Sequence, residues 1–455
     1  MVTARIVAAF VALLLVAAAC SPETEPDPEI EDEDGAIDGE AEGPPGDDPG
    51  PEEDDEDPDD DDPSDDPEDE EAQLDELIER LTSEVGELRE LEWEDEVETE
   101  VVSGDELAEI ATDRDLDAGD RDELADWSRV LASLRHIPEG GDLEEIYDEL
   151  QASGVAGLYD PEDEVAYVGS EELPPGPSAT VTTAHELVHA LQDQHFDLER
   201  LDDLEDDDAV LAFLSVVEGD AVLIEEEWQA RHLSEEEQGE AQREELEAVG
   251  EVQEVLAELP EYVVESFLFP YTAGERFVAA LREQGGFAAV NEALEDPPTT
   301  TLEILDPDRY LEGFEPEEVD PGQAPGDDWE PLVDGSFGAF ELLVLFGEVE
   351  DTQAPAAWPW WRGGAIEAWE QDGELVVAAG WWLDDAEEAP LVVCDAVPSW
   401  YAQVANADEP SEREVASGEL TLEGDRDAFA LACEDQLVRF ALAPDAETAE
   451  RALGR

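Results

Sequence analysis

The chain has 455 residues, in which 133 acidic side chains face 19 basic ones, every one of them arginine, for a formal net charge of −114. A polyanion of that charge repels phosphate backbones, which excludes nucleic acid as a partner. The length admits more than one average domain, or one large domain behind an unstructured tail.

The opening stretch "MVTARIVAAFVALLLVAAAC" carries one positive charge at Arg5, an apolar run from Ile6 to Ala19, and then Cys20. It reads as an export signal over residues 1–19, too short to span a bilayer as a stable helix. The run "VAAAC" resembles a bacterial lipobox, with Ala17 where leucine is usual, so Cys20 is expected to be lipidated and to anchor the protein to the outer face of the cell membrane. Plain secretion is the alternative. Residues 20–72 follow as an acidic linker: Ser21 to Ala72 holds 29 acids and no aromatic residue, and such a segment cannot bury enough apolar surface to fold. The remaining sequence is also steeply acidic. Self-repulsion of that order is tolerable where salt shortens the Debye length to about 3 Å, near 1 M, which implies a salt-loving source. Lipidation of Cys20 would leave Cys394 and Cys433 as a pair, and in an oxidising compartment a disulfide is the default expectation.

Beyond Ala72 leucines recur three and four apart in "LDELIERLTSEVGELREL" and "RDELADWSRVLASLRHI", predicting surface helices with one buried face. Between them "EVETEVV" alternates as a short strand does, and Ser103-Gly104-Asp105 opens the next helix. Gly154 to Gly169 reads as two strands around a turn at Pro161, Glu162 and Asp163, and an edge strand there could hold an extended peptide by backbone hydrogen bonds. After the breaker "LPPGPS" come the histidine stretch, a long buried helix in "DDDAVLAFLSVVEGDAVLIEEEWQARH", and another over Glu244 to Leu259. "PYTAGERFVAALREQGGFAAVNEAL" predicts helix, Gly-Gly break, helix; Glu315 to Glu330 is a loop or a boundary. In the last third "GAIEAWEQDGELVVAAGWWLD" predicts a hairpin turning at Asp372-Gly373, followed by helices near Ser399 to Val404 and over Ala428 to Leu442. Trp358, Trp360, Trp361 and Trp369 read more readily as sheet core than as a ligand-stacking surface.

"TTAHELVHALQDQHFDL", Thr182 to Leu198, gathers three of the five histidines. On a helix, positions four apart share a face, so His185 and His189 can offer two imidazole nitrogens to one cation, and two converging neutral imidazoles suit Zn²⁺. Glu186 sits on the flank, where its carboxylate reaches a water on the metal rather than the metal itself.

Two residues compete as third ligand. His195 lies six beyond His189, but position 192 is Gln rather than the glycine that would turn the chain back, and on a continuing helix His195 lies about 240° around from His189. Glu218 is favoured, because it interrupts the apolar run "AVLAFLSVVEGDAVLI" on a face expected to be buried, where an unpaired carboxylate is costly and coordination removes the cost. Tyr271, Tyr262 and His232 are equal candidates for an oxyanion donor.

The chain resembles HExxH metallopeptidases of the gluzincin type, most closely a group of exported bacterial and archaeal proteins sharing "AHELxHALQDQHFDL" and a later "VEGDA", here Ala184 to Leu198 and Val217 to Ala221. Weaker echoes extend the likeness over Leu150 to Gly313. The resemblance implies that His185, His189 and Glu218 hold zinc, that Glu186 is the general base of peptide hydrolysis, and that Asp220 supports a ligand. Two residues from Glu218, however, Asp220 should point to the opposite side of a regular helix. The expected architecture is α+β and mainly helical: a zincin-like metallopeptidase domain over 73–455, with a metal core at about 150–313 and a C-terminal α+β part at about 330–455. The expected partners are a peptide or protein substrate and, through the lipid, a membrane. The rival reading is a surface lipoprotein that binds a partner and keeps the metal only as a structural element.

Overall fold

The computed structural model describes residues 11–14, 67–112, 118–170, 173–204, 206–346, 354–384 and 389–455. Cys20 and the acidic run up to residue 66 lie outside them. Among the described residues the fold is α+β and mainly helical, with two sheets, and no helix is long and apolar enough to cross a membrane.

The N-terminal half contains helices α1 (Pro67–Arg89), α2 (Gly104–Thr112), α3 (Ala118–Ser133), α4 (Leu143–Gly154), α5 (Pro177–Phe196), α6 (Asp207–His232), α7 (Glu235–Leu256), α8 (Glu261–Gly285), α9 (Phe287–Glu295), α10 (Thr301–Leu305) and α11 (Pro307–Glu312). Helix α6 begins where the side chain of Asp206 accepts from the backbone N–H of Asp208 and Ala209, satisfying two of the donors that a helix start leaves open. Helix α8 starts after Pro260 and carries Pro270 in its interior, so it is longer than "PYTAGERF" predicts; Gly286, at φ +66°, then breaks it from α9.

A four-stranded sheet lies beside α5. It is built from β1 (Val11–Leu14), β2 (Glu98–Val102), β3 (Val155–Asp160) and β4 (Val165–Gly169) in the order β1-β3-β4-β2. The β3–β4 turn forms as its sequence suggests: Asp160 accepts from the N–H of Glu162 and Asp163, and Glu164 takes a positive φ. Strand β1 pairs antiparallel with β3, Val11 opposite Tyr159.

The C-terminal part is a six-stranded antiparallel sheet of β5 (Glu330–Ser336), β6 (Trp361–Gln371), β7 (Glu374–Leu383), β8 (Glu419–Glu423), β9 (Ala428–Glu434) and β10 (Leu437–Ala443), ordered β5-β6-β7-β10-β9-β8. Helices α12 (Ala339–Val344), α13 (Ala389–Val404), α14 (Glu412–Val415) and α15 (Ala446–Ala452) complete it. Asp372 and Gly373 both adopt positive φ, as a tight hairpin turn between β6 and β7 requires. The helix expected over Ala428 to Leu442 is instead the β9–β10 hairpin. Its alanines and leucines favour helix in isolation, but the segment reverses at Asp435, φ +50°, and both strands lie in the sheet interior with neighbours on each side. The helix expected near Ser399 is the end of the longer α13. Trp361 and Trp369 are buried in the sheet core, and Trp358 and Trp360 pack against it half-buried. Cys394 on α13 and Cys433 on β9 form a disulfide.

Candidate metal centre

Helices α5 and α6 bring His185, His189 and Glu218 together. Nε2 of His185 lies 3.3 Å and Nε2 of His189 3.5 Å from Oε2 of Glu218, and the ligand atoms of all three residues lie within 4.8 Å of one another. Each residue is at most 1 % exposed. None of these three buried atoms meets a hydrogen-bond partner, a costly condition for polar groups in an apolar interior. Donors about 2.0–2.1 Å from a tetrahedral ion stand about 3.3–3.4 Å apart, and the two distances from Glu218 to the histidines are close to that. The triad could therefore hold a metal ion.

Each histidine is oriented from behind. Nδ1 of His185 faces Oε2 of Glu225 at 2.8 Å, and Nδ1 of His189 faces Oε1 of Gln192 at 3.0 Å. Both far-side partners offer an oxygen, so both Nδ1 atoms carry hydrogen and both Nε2 atoms face the centre. Burial alone pushes the His185 imidazolium down, but the carboxylates of Glu218 and Glu225 on either side overcome it and lift the group to about 10, so a metal entering the centre would displace a proton from Nε2. His189 is pushed down by burial, which outweighs the attraction of Glu218. Burial pushes Glu218 up, yet the two imidazoles that face its carboxylate, His189 first, bring it down to about 2. The cluster thus keeps its carboxylate ionised.

Glu186 is fully buried beside strand β3. A Cβ built on Gly157 would meet Oε1 of Glu186 at 2.8 Å and Cγ of Glu186 at 3.0 Å, so the missing side chain at 157 is what lets Glu186 lie against the strand. Tyr271, on α8, donates its hydroxyl to Oε1 of Glu218 at 3.1 Å. Burial, then the charges of Glu218 and Glu186, push its phenol well above the ordinary value, so it is a donor throughout the physiological range. The close approach of α6 and α8 makes that contact: a Cβ on Gly274 would lie 2.0 Å from the carbonyl oxygen of Ser215, and one on Gly219 would lie 2.2 Å from the carbonyl carbon of Gly274.

The other candidates lie elsewhere. Nε2 of His195 bonds the Glu92 carbonyl at 2.9 Å, and the ring is on the outside of α5, so His195 is not brought to the centre. Tyr262 stacks on His136 at 4.3 Å, and His232 stacks on Trp228 with Glu84 3.3 Å from its Nδ1. Of the three oxyanion candidates only Tyr271 reaches the cluster. Asp220 does point away from Glu218's ligand atoms, as helix geometry requires, and meets Gln192 instead.

Sequence reasoning passed over Glu225, Gln192 and Arg89. Glu225 is seven residues beyond Glu218 and so on the same helix face, a spacing that could have flagged it, but it opens the run Glu225-Glu226-Glu227, which reads as solvated surface. Comparison of the chain with protein-family models, with curated proteins and with solved structures finds no match.

Proposed function

We propose that the protein is a zinc-dependent peptidase of the gluzincin type, exported and held by a lipid on Cys20 at the outer face of the cell membrane. One observation carries this reading: three buried donors that converge on one point, with a second acidic side chain, Glu186, next in sequence to a ligand and outside the ligand set. A structural zinc site is closed by four protein ligands, whereas a catalytic one has three, as does this cluster. A bound zinc ion would supply Lewis acidity toward a peptide carbonyl and would lower the pKa of an attacking water toward about 7.

The protein's own groups supply the rest. Glu186 takes the proton of the attacking water and returns it to the leaving amine. Tyr271, already a donor to Glu218, is the oxyanion candidate that reaches the cluster, and it would turn its O–H to the charge that develops on the carbonyl oxygen. Glu225 and Gln192 hold the imidazoles with their lone pairs inward. The edge of β3 beside Glu186 takes an extended segment antiparallel, the place now filled by Val11–Leu14, and cleavage before Cys20 would remove that strand and open the edge to a peptide. Substituting Glu186→Gln tests the reading. Hydrolysis of an unstructured polypeptide should fall by roughly 10²–10⁴-fold with metal content unchanged; an unaltered rate would remove Glu186 from the chemistry.

A further inference from the structure

The side chain of Arg89, at the end of α1, is fully buried. Its Nε donates to Oδ2 of Asp220 at 2.8 Å, its Nη2 donates to Oδ1 of Asn291 at 2.6 Å, and its guanidinium lies over the ring of Phe287 at 4.6 Å. An arginine buried this completely is held for a reason beyond surface charge.

The same Oδ2 of Asp220 accepts from Nε2 of Gln192 at 2.9 Å, and that nitrogen also donates to the carbonyl of Val217 at 3.0 Å. Both hydrogens of the carboxamide are thereby used. The opposite end, Oε1, faces Nδ1 of His189 at 3.0 Å, and because a carboxamide oxygen only accepts, Nδ1 must carry the hydrogen. Turned by 180°, the amide would set its oxygen against two acceptors, the Val217 carbonyl and the Asp220 carboxylate, and would present N–H to Nδ1. The ring hydrogen would then sit on Nε2, where it blocks a metal. His185 needs no such chain, since Glu225 meets its Nδ1 directly.

We propose that Arg89 is a positioning residue for His189: by fixing the carboxylate of Asp220 it fixes the orientation of the Gln192 amide, and through it which imidazole nitrogen is bare. The use of that bare nitrogen rests on the zinc reading, but the hydrogen-bond order does not. Helix α1 is thus part of the site, 131 residues in sequence from the carboxylate it holds. A buried ion pair kept only for packing would leave the imidazole indifferent to it.

The test is ¹⁵N NMR of histidine-labelled, metal-free protein, with His189→Asn for assignment, alongside zinc affinity by chelator competition. Wild type should show His189 with hydrogen on Nδ1. Arg89→Met and Gln192→Met should each give a mixture of the two tautomers and bind zinc roughly 10–100-fold more weakly. Arg89→Lys, which keeps a donor for Asp220, should restore the single tautomer. Folded Arg89→Met and Gln192→Met proteins with the wild-type tautomer and affinity would overturn the proposal. Should Arg89→Met fail to fold, Arg89→Gln, a smaller neutral replacement, is measured in its place, and a wild-type tautomer and affinity in that folded variant would overturn the proposal. A tautomer that shifts in a protein with no zinc affinity would support the relay and sink the zinc reading instead.

Discussion

Between Pro67 and Glu312 the protein buries Arg89, His185, Glu186, His189, Asp208, Glu218, Asp220 and Glu303, whereas beyond Glu330 the polar side chains enclosed among the described residues are Thr448 and, at the seam with the helices, Glu341. The C-terminal sheet is filled instead by rings, with Phe337, Trp381, Phe429 and Phe440 in mutual contact, and it is cross-linked by Cys394–Cys433. Taking charge out of water costs several kcal/mol per ion unless a partner compensates it. A sheet core of rings carries no such cost, since burial and ring–ring contact both favour it. The helical half accepts the cost at a few converging positions, among them the cluster that could hold a metal ion, and the sheet has no such cluster among the described residues.

That division can be broken experimentally. Removing the disulfide by Cys394→Ser with Cys433→Ser should lower unfolding stability by about 2–4 kcal/mol, read by denaturant titration, with zinc content unchanged. Loss of metal in the folded double variant would mean that the sheet supports the site directly. A smaller effect on stability, about 1–3 kcal/mol, is expected of Gly274→Ala, because the new methyl group must push α6 from α8. Unlike the disulfide change it should weaken zinc binding too, since Tyr271 would lose its grip on Glu218; full affinity in a destabilised variant would contradict the contact's role.

The smallest expected effect concerns the seam between the halves. Asp208 on α6 accepts from the N–H and hydroxyl of Thr301, and Glu341 on α12 accepts from the N–H of Gly338. Burial pushes Asp208 up to about 7, helped by the charge of Asp206, and burial together with Asp208 pushes Glu341 up to about 8. A carboxyl raised above its unfolded value binds more protons in the native state, so its contribution is complete below the ordinary carboxyl value, shrinks as pH rises above it, and is gone beyond about 7 to 8. Melting temperature should therefore fall across that window in wild type and fall less in Glu341→Gln. Equal slopes would show that the seam does not titrate.

Much of the centre was legible in the sequence for simple reasons. The i, i+4 histidines with Glu186 between them, and one acid inside an apolar helix at Glu218, each break a pattern that burial otherwise enforces. The supporting groups were not legible because they break none. Arg89 ends an amphipathic helix among acids and Glu225 begins a charge run; only the approach of distant helices makes either one interior to the site. Asp220 shows the limit of single-helix geometry: it does face away from the ligands of α6, and it still acts on the centre because Gln192 on α5 bridges the gap. The β9–β10 hairpin was hidden for a related reason, its Ala- and Leu-rich strands being buried in the sheet without the alternation that marks a half-exposed strand.

The most direct test is metal analysis of the chain from Pro67 onward, purified in high salt, as wild type, His185→Ala, Glu218→Ala and His195→Ala. One zinc per chain is expected in wild type and His195→Ala, and none retained after dialysis in the other two. A folded Glu218→Ala protein that keeps one zinc with wild-type affinity would contradict the three-ligand centre on which the whole account stands.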